Sequence, residues 1–308
     1  MASKKRIAAP VSWVLKTKHH TAGLASTGEG FVCATNEGAA HHVTLDGTVT
    51  KTLQLGGDVL QLCADGAKVW ALVDGSRIVD LETEDLALAL DVSAESFAVR
   101  NGRFYVQHGV GLIAFEDGRV VWQHEAERGG TVAVDEQAVF FGQTQGLERL
   151  TFEGQRQWLA PAQYVHRVAT GPRGVWGLSY RGTRVYSAND GAILHDRGDG
   201  FQHVTLNVAG EAFCIVESVV GEAVVSELIS FAADGAVQWR FPSPLQCVEA
   251  LRVVGERLIV TSALGQVCCV DLSPTGIAEG LAGKSAKPLQ LKPEASTGKP
   301  PRRKKTRT

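Results

Sequence analysis

The sequence predicts an all-β fold, a seven-bladed β-propeller of four-stranded antiparallel blades, on three observations. First, 34 Gly and 10 Pro among 308 residues, with a single Met, point to many short turns between strands rather than to a helix bundle. Second, one spelling recurs: a turn Gly followed four residues later by Trp, in DGRVVW ending at Trp122, EGQRQW ending at Trp158 and DGAVQW ending at Trp239. Third, the apolar runs last four to seven residues and end at Gly, Asp or Asn, whereas helical repeats of similar period need helices of about ten residues or more.

Aligned on the anchor position after the turn, the units give Lys51, Ala87, Trp122, Trp158, His195 and Trp239, at spacings of 36, 35, 36, 37 and 44. Residues 131–159 show the internal order, with strands TVAV, AVFFG, LERLTF and RQWLA separated by DEQ, QTQG and EGQ. Four strands in about 36 residues make one blade. Seven units fit, roughly 14–52, 53–88, 89–123, 124–159, 160–196, 197–240 and 241–276.

The seventh unit has only three strands, VEALRVV, ERLIVTS and QVCCVDL, followed by SPTG, which reads as a turn with no Trp strand after it. APVSWVLK, residues 9–16, has the spelling of the missing strand, with Trp13 at the anchor. The N-terminal strand is therefore expected to complete the last blade, which removes two exposed sheet edges and closes the ring. Trp13, Trp122, Trp158 and Trp239 are expected in the wedges between neighbouring blades, each burying on the order of 150–250 Å². Where Lys51, Ala87 and His195 stand instead, the wedge must be filled differently. Trp70 and Trp176 fall on second strands and are expected in blade cores.

This pattern resembles the PQQ-like, quinoprotein-type β-propeller repeat, whose consensus runs roughly Ala-x-Asp-x-x-Thr-Gly-x-x-x-Trp. IVDLETEDLALAL, LIAFEDGRVVW, LISFAADGAVQW and the Trp-less VYSANDGAILH are degenerate versions, and the resemblance covers nearly all of residues 9–276. It implies a fold more than an activity, because the family holds both quinone-dependent dehydrogenases and non-catalytic scaffolds. The adjacent Cys268 and Cys269 resemble the vicinal pair of some of those dehydrogenases, but the acidic and amide cluster that binds calcium beside their cofactor has no counterpart in the sequence. The chain is placed in the non-catalytic subset, with no cofactor expected. Adjacent strand residues point to opposite faces, so the two cysteines read as small buried side chains.

Charge divides the chain. Residues 284–308 hold nine Lys or Arg against Glu294 alone, a tail of +8, which leaves residues 1–283 at −10. The tail is poor in apolar residues and rich in Lys, Pro, Ser and Thr, so it is expected to be disordered. The domain reading is thus a propeller over 1–282 and a disordered basic tail over 283–308. Arg302, Arg303, Lys304, Lys305 and Arg307 suit weak Coulomb attraction to nucleic acid or to an acidic partner. The first twenty residues lack an uninterrupted apolar core and cleavage site, and no apolar run approaches the ~20 residues of a membrane span. Six Cys in apolar contexts without C-x-x-C spacing suggest reduced, buried thiols in a cytoplasmic protein.

In a propeller the turns entering each inner strand gather on one face with those joining second and third strands. Here they carry His19 and His20, His108, Arg128, Tyr164 and His166, Tyr180 and Arg181, Phe201 and His203, a candidate protein-binding face. The long VESVVGEAVVSE excursion is expected to protrude on the same face. Catalytic spellings fail: AGKSAK has Ala278 where a phosphate-binding loop needs its first Gly, and GLSYRG has no Gly two residues beyond Ser179. No spacing supports a metal site. The expected role is a non-enzymatic protein-interaction scaffold, a monomeric propeller acting as subunit of a bacterial multi-protein assembly. The alternatives are a hydrolase or lyase using the central funnel, or a nucleic-acid-associated protein binding through its tail.

Overall fold

The computed structural model describes residues 7–126, 128–198, 201–220, 223–284 and 287–291. Seven sheets follow one another around an axis, six of them antiparallel and four-stranded with strands in sequence order. They span 21–54, 59–89, 94–125, 129–161, 165–197 and 201–242, blades 1 to 6 here. Blade 7 takes three strands from 248–271 and its fourth from Val11–Lys16, which pairs antiparallel with Gln266–Asp271 and sets Trp13 opposite Cys269. The predicted closure is observed.

Two bulges recur at fixed register. Every inner strand carries one near its start, with Leu60, Glu95, His166 and Glu249 as the extra residue in blades 2, 3, 5 and 7. A bulge re-aims its side chain, and these four line the mouth of the axial channel. Every outer strand carries the second bulge, one residue before the anchor: Val121 precedes Trp122 and Gln157 precedes Trp158.

The outer bulge explains the Trp repeat. The indole N–H of Trp122 donates to Phe152 O at 2.7 Å, that of Trp158 to Ala188 O at 3.2 Å, and that of Trp13 to Leu45 O at 2.9 Å. Each acceptor lies at the third-to-fourth-strand turn of the next blade, so the tryptophan fills the seam and satisfies its own donor. The turn Gly of that next blade lies under the ring. A Cβ on Gly154 would come within 2.6 Å of Trp122, and one on Gly191 within 2.9 Å of Trp158, and both have φ near +80°. The two recurring letters of the motif therefore meet across a seam, the Gly of one unit beneath the Trp of the unit before.

Blade 2 corrects the alignment. Its turn residue of positive φ is Glu84, so four residues on is Leu88; Ala87 is the bulged residue and Leu88 the buried anchor, packed with Phe104 and Phe115 of blade 3. At the seam between blades 1 and 2, Lys51 meets Glu84 at 3.2 Å, so where the anchor is cationic the facing turn residue is acidic. At the seam between blades 5 and 6, His195 lies over Gly235, whose carbonyl accepts from Arg197.

The end of the ring differs from expectation. SPTG does not make a turn; it starts a helix, Pro274–Leu281, with Ser273 as N-cap accepting from the Gly276 N–H and Pro274 in the first turn. Trp239 shares a core with Leu272 and Ile277 of this segment instead of meeting a hairpin turn. Leu289–Leu291, assigned by sequence to the disordered tail, pairs parallel with Trp13–Leu15 as a fifth strand. Three residues with two leucines flanking Gln290, a strand-compatible alternation, suffice there because the closing strand offers an open edge. Residues 292–308, including the RRKK run, lie outside the described residues. Among those described, no helix is long and apolar enough to cross a membrane.

Cys268 and Cys269 face opposite ways, into the blade 6–7 and blade 7–1 cores respectively. Burial pushes the thiols of Cys33 and Cys269 up to about 12, so neither is a thiolate at neutral pH. Cys247 departs from the buried reading: it is exposed, at φ +50°.

Candidate protein-binding face and channel mouth

The turns entering the inner strands and those between second and third strands share one face, as backbone bonds between them show: Asn36 N donates to His20 O, and Thr144 N to Arg128 O. On this face the structure gathers part of the predicted set. His166 stacks on Tyr180 with centroids 4.7 Å apart and 17° between planes, Tyr164 lies 6.1 Å from Tyr180, and the Arg128 guanidinium sits 5.1 Å from the Tyr164 centroid. The Tyr164 hydroxyl donates to Gly129 O, which fixes the ring. Tyr180 is 80% exposed, and Arg181 beside it is exposed too.

The remaining predicted residues lie apart. His19 is paired with Glu37 at 2.8 Å, His20 is exposed on the same turn, and His108 ends the second strand of blade 3 half-buried. His203 is not a turn residue at all. It follows the inner-strand bulge of blade 6, is 7% exposed, and accepts a hydrogen bond at Nδ1 from Arg167 at 2.8 Å while its ring also bonds the Val248 backbone. Burial first, then Arg167, hold its pKa down at about 3, so the ring is neutral, with both nitrogens engaged.

Arg167 was missed from sequence, yet a signal existed. It and His203 stand 36 residues apart, the repeat period, and so occupy the same register position in consecutive blades. The Gln61 amide, one period before Phe97, bonds that residue's backbone N–H and carbonyl in the same way, and Thr131 Oγ1 accepts from Val168 N. Polar side chains just inside the channel thus tie the inner strand of blade 2 to that of blade 3, blade 4 to blade 5, blade 5 to blade 6 and, through His203, blade 6 to blade 7. Burial lowers the pKa of the Arg167 guanidinium and Glu249 partly offsets this. The channel itself encloses about 580 Å³.

The blade 6 excursion is a hairpin whose strands, Ala212–Val220 and Ala223–Phe231, pair over nine residues against five in the corresponding hairpins of blades 3 and 5, so it extends beyond those blades on this face. Val110, Leu264 and Leu60 are further exposed apolar side chains there.

No protein-family model matches the chain, and no curated protein matches it in sequence. Solved structures do. The WD40 β-propeller domain of Doa1 superposes with a TM-score of 0.68 at 13% identity, over 88% of this chain and 99% of that one. Virginiamycin B lyase from Staphylococcus aureus gives 0.67 at 12%, over 84% and 98%, and BamB from Moraxella catarrhalis gives 0.61 at 13%, over 86% and 100%. At such identities the likeness is one of fold, and that fold is the β-propeller.

Proposed function

We propose that the protein is a non-enzymatic interaction scaffold of the PQQ-like type, working in the cytoplasm as a subunit of a bacterial multi-protein assembly and binding a protein partner through the face described above. The observation that carries this reading is the contiguous Arg128–Tyr164–His166–Tyr180 cluster, with Tyr180 almost fully exposed. Rigid aromatic side chains beside arginine are the composition that dominates binding energy at protein interfaces, and an 80% exposed tyrosine held by a ring stack is prepared for one. Propellers of this fold occur among the similar structures both in assemblies, such as a mitotic checkpoint complex, and in a lyase, so fold alone does not choose. Against a funnel enzyme, the buried His203 has both ring nitrogens occupied and so has no free site for a substrate proton.

The test is quantitative affinity capture with the wild type, a Tyr180→Ala, Arg128→Ala double variant, and Val208→Ser on the opposite face as control. A partner retained by wild type and control and lost at least about tenfold by the double variant supports the reading, since two interface anchors are worth about 1.4 kcal/mol or more. Identical capture by all three overturns it.

A further inference from the structure

The axial channel contains a separation of charge, acidic at the mouth and cationic deeper, that the interaction face does not use. Its lining carboxylates are Glu95 and Glu249, and both are bulged residues at the mouth. Glu95 accepts from the Gln107 amide, and Glu249 acts on Arg167 one register position below the bulges. Arg252 lies deeper, three positions below Glu249 on the same strand and so about 10 Å further along the axis. It lines the channel, and among the described residues it has no hydrogen bond and no ion-pair partner. The ionisable group acting on it is the Cys63 thiol, itself pushed toward the neutral form by burial.

An arginine cannot shed its proton to escape such a place. A lysine or histidine in the same position would titrate to neutrality; a guanidinium stays charged and leaves five donors to be satisfied. At the same register the facing strands present only Ala98 and Ala133, with Ala169 beside them, so the space before the guanidinium is kept open by small side chains. Arg252 is part-exposed to the channel, so its donors meet solvent and no protein acceptor, and this planar fork is matched by a carboxylate or phosphate group.

We propose that the channel is a binding site for a small oxyanion-bearing molecule, a carboxylate or a phosphate, whose anionic group is held by Arg252, with Arg167 nearer the mouth as a second contact. The site is independent of the Tyr180 face and stands or falls without it. Succinate and inorganic phosphate are the probes, titrated by calorimetry and thermal unfolding at constant ionic strength against chloride as control. Saturable binding of either probe, raising the unfolding midpoint by a few degrees in the wild type, is expected. The probe that binds tells carboxylate from phosphate. Arg252→Met should lose that binding at least tenfold and, free of ligand, should unfold at the same or a higher temperature, because it removes a part-exposed charge that no protein group pairs. Arg252→Lys keeps the charge without the fork and should bind several-fold more weakly, which decides the matter if the Met variant does not fold. Binding of neither probe to the wild type, or equal binding by wild type and Arg252→Lys, overturns the proposal.

Discussion

The seams on either side of blade 4 and the seam between blades 1 and 2 solve one packing problem by different chemistry. In the former, Trp122 and Trp158 lie over a turn glycine of the next blade and donate to a turn carbonyl. In the latter, Lys51 and Glu84, both roughly half exposed, meet as a surface ion pair. A tryptophan seam gains apolar burial, a directional hydrogen bond and no dependence on pH or salt. A surface pair contributes about 1 kcal/mol or less and is screened by salt. The ring is therefore not equally strong all the way round, although its seven sheets look alike.

The largest expected effect comes from breaking a strong seam. Trp158→Ala should destabilise the protein by about 3 kcal/mol, removing a half-buried indole and leaving Ala188 O without its donor, whereas Lys51→Ala should cost under about 1 kcal/mol. Urea midpoints of the two variants measure the contrast, and equal losses would refute it.

Next in size is pH. His203, at the inner end of the blade 5–6 seam, has its pKa lowered by burial to about 3 from the ordinary imidazole value of 6.5. Above pH 6.5 neither folded nor unfolded chain binds that proton, so the contribution is fully present. Below it the unfolded chain takes up a proton that the folded one refuses, and stability falls by up to about 1.4 kcal/mol per pH unit until the folded pKa is reached. His203→Gln should flatten that part of the acid limb in urea titrations from pH 7 to pH 4; an unchanged limb would show that the ring is not a buried neutral group.

The smallest effect sharpens the comparison instead of breaking it. Lys51→Trp combined with Glu84→Gly rebuilds the strong seam at the weak position and frees a non-glycine residue from φ +64°. A gain of about 1 kcal/mol in urea is expected, together with loss of the seam's salt dependence. A destabilised double variant would mean that the neighbouring blades are too close for an indole there.

The blades and their closure were legible because the Trp–Gly pair is spelled out in sequence and its period counts them. Ala87 was misplaced by one residue because the turn of blade 2 puts Glu84, not Gly, at positive φ, and the count from a visible Gly fails there. The helix after blade 7 was signalled by Ser273–Pro274, but a turn reading suits the same two residues. Of the candidate face, exposed aromatics and arginines on turns could be read directly from position in the repeat. Arg252 and the burial of His203 could not, because they depend on a bulge at the start of each inner strand that no residue type announces, and Arg167 was marked only by standing one repeat period before His203.

The closing strand also sets the order of events in synthesis. Val11–Lys16 leaves the ribosome before any other strand of the ring, yet its hydrogen-bonding partner Gln266–Asp271 is made about 250 residues later. Until then both ends of the growing stack carry unpaired strand edges, the state most open to wrong association. Such sequence-distant pairing belongs to slow-folding topologies, so the nascent chain waits on its last blade, and the short parallel strand Leu289–Leu291 then covers the edge that the final step leaves behind.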